Sequence, residues 1–229
     1  MQAVITVVSI LITVGVYLFS RYLYFRYNNP LINIVLLSTS VIIAILIICK
    51  LPYAAYVPAK DIMTFLLGPA TVALSVPLYR HRHLLKQYSL AIVVGVGTGT
   101  IVSMATVLFI TQAGGLARDI IVSIIPKSST IPFAVGIAQL AGGNPALAVA
   151  FVVATGTFGS VAGLSLLTWF KIHDPVARGL AMGTVAHGQG TAMALLEGEQ
   201  AGSMAGVAMA LAGVFTALAA PVLVTLFGG

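Results

Sequence analysis

Long unbroken apolar runs dominate this chain, without the strict alternation of a half-buried strand. A bilayer core of about 30 Å takes roughly 20 apolar residues in a helix. Runs of that kind fall near 2–20, 31–49, 61–79, 89–112, 145–170, 178–196 and 201–227, with a less regular stretch at 116–142. Continuous rather than alternating hydrophobicity argues against a membrane β-barrel. The pattern predicts an all-α integral membrane protein with about seven or eight transmembrane helices, some of them broken, in a single polytopic domain over 1–229. No basic residue precedes the first run, and Arg21 and Arg26 follow it. That is the reverse of a cleavable signal, so a retained helix with its N-terminus outside is expected.

Composition agrees. The 229 residues carry 11 Lys or Arg and 5 Asp or Glu, and 59% are hydrophobic. Mean hydropathy is +1.09. Sixteen charges cannot cover a soluble particle of this size, which excludes a water-soluble enzyme or a DNA-binding module. The net charge of +6 then reads as cytoplasmic loops beside anionic lipid rather than nucleic acid. A lone cysteine, Cys49, gives neither a disulfide framework nor a cysteine metal site.

Charge placement orients the spans. Loops 21–30 and 80–88 carry Arg21, Arg26, Arg80, Arg82 and Lys86 and are expected inside. Loop 50–60, with Lys50 and Lys60, falls outside, a mild violation. If 116–142 is a re-entrant hairpin, the basic loop at 171–178 falls inside and the acidic turn Glu197–Glu199 outside, with the C-terminus inside. Eight full spans are the alternative. After two N-terminal spans in 1–60, repeats of opposed orientation are expected, centred on 61–112 and 145–227. Each is a triplet of helices (the first beginning at 31–49) with a Gly- or Pro-broken middle helix. That is the pattern of an inverted-repeat transporter, and it rests on hydropathy, since the halves share no evident residue identity.

Polar groups inside a bilayer are costly, so those kept there invite a functional reading. Pro126-Lys127-Ser128-Ser129-Thr130-Ile131-Pro132 packs a cation, three hydroxyls and two helix-stopping prolines between apolar helices. Pro132 suits the first turn of a new helix with Thr130 or Ile131 at its cap, and such a start favours an anion. The bland alternative is a surface loop with Lys127 reaching water. In Thr184-Val185-Ala186-His187-Gly188-Gln189-Gly190-Thr191, two glycines weaken a helix beside an intramembrane histidine. His187, Gln189, Gly190 and Thr191 could contact a ligand, and His187 could couple a proton; alternatively the glycines only permit close packing. Gly68, Pro69 and Thr71 form a third break without an ionisable group, either scaffold or backbone ligand. Asn144 and Asp174 are expected to cap helices, and the small residues of 201–220 to form a packing face. All five acids map to span ends or loops, and no Walker loop, serine-hydrolase or zinc-protease motif is present. A carboxylate proton relay, a metal centre, a cofactor and an enzymatic role are therefore not expected. A centre of lysine, histidine and hydroxyls suits a small carboxylate.

Several of these segments together resemble the LrgB/CidB family: Leu66-Leu67-Gly68-Pro69-Ala70-Thr71-Val72-Ala73-Leu74, Pro77-Leu78-Tyr79, Pro126-Lys127-Ser128, Asp174-Pro175-Val176-Ala177-Arg178-Gly179 and His187-x-x-Gly190-Thr191-Ala192. The likeness runs from about residue 30 to the end. It is similar as well to the C-terminal half of the plastidic glycolate/glycerate translocator. The resemblance implies a multi-pass protein of the bacterial plasma membrane, historically named antiholin-like and linked to murein hydrolase control. It also implies transport of small monocarboxylates such as pyruvate, lactate, glycolate or glycerate. A small LrgA/CidA-type membrane protein is the implied partner. Ser129 and Ile131 depart from the Val and Thr of many members. The expectation is a monocarboxylate carrier working by alternating access, with Lys127, Ser128, Ser129, Thr130, His187 and Thr191 at the substrate. A holin- or antiholin-like modulator is the alternative, and small-residue faces make a homodimer plausible.

Overall fold

A computed structural model describes residues 2–27, 34–66, 69, 79 and 82–227. The described residues form helices and turns: α1 (Gln2–Tyr27), α2 (Ile34–Ile48), α3 (Tyr53–Phe65), α4 (Arg82–Gln87), α5 (Ser89–Ala113), α6 (Arg118–Ile124), a 3₁₀ turn (Ile125–Ser128), α7 (Ile131–Ala141), α8 (Pro145–Trp169), α9 (Pro175–Glu197) and α10 (Glu199–Phe227). Among them α1, α5, α8 and residues 199–225 of α10 are long and apolar enough to cross a membrane. Their outward faces carry residues such as Phe109 and Leu90 on α5 and Phe158 on α8, 75%, 76% and 71% exposed. Lipid tails, not water, suit such surfaces.

The chain divides into compact units, Met1–Ser75 and Val76–Gly229. In the first, α1 packs on α2 and α3, and the Thr13 hydroxyl lies 2.9 Å from that of Tyr56. The expected loop at 50–60 is corrected here: Pro52 caps a helix that runs through it to Phe65. Charge alone had marked this stretch as a loop, yet Lys60 is paired to Asp61 at 2.8 Å on that helix. Most of the rest of the expected 61–79 span lies outside the described residues.

In the second unit two elements double back. Asn144, the residue that starts α8, donates its backbone N–H to Ser123 Oγ at 2.7 Å. A continuous helix would hold positions 123 and 144 about 30 Å apart. The arms, α6 with its 3₁₀ turn and α7, are 11 residues each, about 16 Å long and half a bilayer core. We call 118–141 hairpin 1; its far arm ends on Gly142 in the left-handed conformation (φ 79°).

The second doubling corrects the expected span at 178–196. His187 has φ 41° and ψ −127°, a backbone conformation outside any helix. Arg178 Nη2 nonetheless meets Glu197 Oε1 at 2.6 Å, where a straight helix would separate them by about 28 Å. A Cβ on Gly190 would collide with the carbonyl oxygen of Met182. Helix α9 is thus hairpin 2, with twelve residues before His187 and ten after it. Hydropathy cannot tell one full crossing from two half crossings of equal total length, which is why the turn escaped it. Glu197–Glu199 consequently lies on the same side as Lys171 and Arg178, not opposite. The C-terminal end of α10 falls on the side opposite that basic loop, again the reverse of expectation.

Glycines set the second hairpin into its neighbours. Gly179 and Gly183 abut the backbone carbonyls of Ala201 and Ala205 on α10, while Gly159 faces Ala186 and Gly163 faces Met182. Of the small-residue face expected at 201–220, Gly202 and Ala205 enter this seam, whereas Gly213 meets Phe133 of α7, Gly206 meets nothing within 4 Å and Ala210 is exposed. Asn144 and Asp174 cap their helices through backbone N–H groups of Ala146 and Ala177 at 2.9 and 2.8 Å.

Candidate functional site

The apolar core of the second unit comes in separate pieces. One gathers Ile92, Val96, Val176, Met204, Ala208 and Ala212; another gathers Met104, Leu108, Ile121, Val122, Ile125, Ile137, Ala220 and Val224. On both α5 and α10 a stretch between the two pieces is left over, and on α5 it holds Thr100 and Ser103. The tip of hairpin 1 comes to this level. Lys127 Nζ donates to Ser103 Oγ at 3.0 Å and to Ser128 Oγ at 3.3 Å, and the two hydroxyls are 2.9 Å apart. Ser103 is the fifteenth of 25 residues in α5, so the ammonium sits near mid-depth. Lys127 is partly buried and Ser128 buried.

Local sequence explains this shape. Pro126 sits in the short 3₁₀ turn, and Ser129 and Thr130 are extended, at ψ −179° and 156°. Ile131 and Pro132 then open α7, as the sequence predicts. Thr130 caps that helix by position, without a side-chain bond. Ser129 donates to the Pro126 carbonyl at 2.8 Å and holds the turn.

The tip of hairpin 2 reaches α8. His187 Nε2 lies 3.0 Å from the carbonyl oxygen of Val152. A Cβ on Gly156 would fall 2.5 Å from the His187 ring and 3.1 Å from Gln189 Cδ. Gly156 is the twelfth of 25 residues in α8, again mid-depth. Thr191 donates to the His187 carbonyl at 2.8 Å, tying the arm to its own turn. The break therefore falls on the histidine, while Gly188 is exposed and Gly190 is the packing glycine. The 3₁₀ turn with Lys127 packs against α5, α8, α9 and α10, so both tips adjoin the same helices. Among the described residues four buried side-chain polar atoms have no hydrogen-bond partner: Thr100 Oγ1 and Gln189 Oε1 in this unit, and the Ser20 and Ser38 hydroxyls in the first.

Of the expected third break, Gly68 and Thr71 lie outside the described residues and Pro69 is exposed. Sequence reading missed Ser103, Thr100 and Gly156, since a serine, a threonine or a glycine inside an apolar helix is unremarkable until a partner faces it. It missed as well the side chains that close the mouth of hairpin 2. Arg178 Nε and Nη2 bond both Glu197 oxygens, and Nη1 reaches the Ile172 carbonyl at 2.8 Å. Surface cavities of about 510 and 400 Å³ lie elsewhere, beside Phe133 and Leu140 and beside His173 and Glu199. Among the described residues no cluster of His, Cys, Asp or Glu could hold a metal ion.

Residues 13–226 match the sequence model of the LrgB-like family. The chain belongs to the LrgB family. YxaC of Bacillus subtilis is 38% identical over 226 residues, 99% of this chain and 98% of its own length. The holin-like protein CidB of Staphylococcus epidermidis is 32% identical over 221 residues, 96% of each. No solved structure matches the chain. Family membership and the four long apolar helices make this LrgB-family chain a multi-pass protein of the bacterial membrane.

Proposed function

We propose that this protein is a carrier for a small monocarboxylate of the pyruvate, lactate, glycolate or glycerate class, working by alternating access. One observation carries the reading. The ammonium of Lys127 stands at mid-depth with two neutral hydroxyls as its hydrogen-bond partners. Within the same unit the acids have other places: Asp119 opens α6, Asp174 caps α9, Glu197 pairs with Arg178 and Glu199 opens α10. An ammonium out of water without a counter-charge is costly, and a substrate carboxylate would supply that charge. The start of α7 adds its partial positive end, as in carriers whose broken helices face a bound carboxylate. Ser128 would orient the anion from hairpin 1, Ser103 and Thr100 from α5, and Gln189 with His187 from hairpin 2. His187 would couple a proton. Ser129 and Thr191 act through the turns they hold.

Proteoliposomes with radiolabelled pyruvate or glycolate test this. Saturable uptake that disappears in Lys127→Ala supports the site, and uptake unchanged by that substitution refutes it. The name of the CidB relatives, holin-like, favours a second reading: an oligomeric modulator of murein hydrolase activity, paired with a small LrgA/CidA-type membrane protein. A holin-type lesion would release an entrapped dye of any charge, whereas a carrier would retain it. Neither reading makes the chain an enzyme, and a homodimer suits both.

A further inference from the structure

The hairpins are not two isolated features. Hairpin 1 (118–141) leads directly into the long helix α8, and hairpin 2 (175–197) leads directly into the long helix α10. The second pair follows the first at an offset of about 57 residues: mouths at 118 and 175, ends of the long helices at 169 and 227. Both hairpin arms are half-core length, and both tips stop at mid-depth of a 25-residue helix.

The directions are opposed. The mouth of hairpin 1 sits at the start of α8, through the Ser123 to Asn144 bond. The mouth of hairpin 2 sits at the end of α8, because Arg178 bonds the carbonyls of Leu164 and Ile172 and the hydroxyl of Thr168. Since α8 is one 25-residue helix, about 37 Å long, the two mouths lie at its opposite ends. Thin layers of hairpin, and not full helices, therefore separate the Lys127 level from each face.

We propose that 118–169 and 175–227 are inverted repeats, and that each hairpin is the gate to its own face of one central site. The Arg178–Glu197 pair is the clasp that keeps the second gate shut. Lys86, Lys171 and Arg178 gather at the hairpin 2 face, which the positive-inside rule assigns to the cytoplasm. Hairpin 1 then opens outward, and the C-terminal end of α10 is outside. The gating half rests on the carrier reading; the inverted topology does not.

The experiment uses the full chain with Cys49→Ser and single cysteines in or beside the turns, in sealed vesicles of known orientation treated with an impermeant maleimide. No uptake is measured, so its failure is separate from failure of the carrier reading. Leu116→Cys and Gly142→Cys should label from one face, and His173→Cys and Gln200→Cys from the other. If His173→Cys and Gln200→Cys label from opposite faces, α9 crosses the membrane and the proposal falls. Gly142 carries a positive φ, so an epitope tag inserted after Leu116 gives the same answer should that variant fold poorly.

Gating is read from Ser103→Cys, beside Lys127. It should react slowly from each face, and adding Glu197→Gln should raise the rate about ten-fold from the His173 face alone, by loosening one clasp. An equal rise from both faces, no rise, or no reaction at all would overturn the gates.

Discussion

The two hairpins solve the same problem, reversing a chain at mid-membrane, by different means. Hairpin 1 turns through five residues, Pro126–Thr130, with a proline, an extended pair and a cation. Hairpin 2 turns on His187 alone, a non-glycine residue at φ 41°. Such a conformation is disfavoured for an L-residue and persists only where the surroundings enforce it. Those surroundings are visible: glycine contacts down both arms and an ion pair across the mouth. The first hairpin spends its sequence on presenting a charge, the second on close packing. Function should therefore be sensitive in hairpin 1 where stability is not, and stability in hairpin 2 where chemistry is remote.

The sharpest break in that comparison is Gly183→Val. Its Cβ would meet the Ala205 backbone, which cannot swing aside as a side chain could. We expect a loss of about 3 kcal/mol or more, read as a large fall in Tm in detergent. Glu197→Gln comes next. The Arg178 guanidinium is buried, while Glu197 is 30% exposed, so a loss nearer about 2 kcal/mol is expected than that of a fully buried pair. A double-mutant cycle with Arg178→Met should recover much of it as coupling.

The membrane class, the spans at 89–112, 145–170 and 201–227, both polar strips and the caps at Asn144 and Asp174 were legible, because each rests on local chemistry: apolar length, proline, a side-chain acceptor. The reversal at His187 was not. Hydropathy is blind to direction, and the side chains that reveal it, Arg178 and Glu197, stand 19 positions apart. For the same reason charge counting put Glu197–Glu199 on the wrong side. Lys127 was legible as an oddity, but Ser103 was not, since only tertiary packing joins it to the lysine.

A smaller effect sharpens the comparison from the other hairpin. Ser103→Ala removes one hydroxyl partner of Lys127 and should cost about 1 kcal/mol in stability, with weaker substrate uptake as its larger consequence. The smallest effect has the opposite sign. A Cβ on Gly136, in the far arm of hairpin 1, meets nothing within 4 Å. Gly136→Ala should raise stability by about 0.5–1 kcal/mol through helix propensity, where the same change at Gly183 lowers it. Equal outcomes at the two glycines would mean that the hairpins are packed alike.

The central claim is that Lys127 at the hairpin tip binds a small carboxylate. Thermal unfolding of the purified protein, titrated with glycolate, lactate, glycerate and pyruvate, tests it most directly. We predict a saturable rise in Tm with at least one of these acids. It should be absent in Lys127→Met, whose own Tm stays near that of the parent. No rise with any of them, or an equal rise in the variant, would contradict the account.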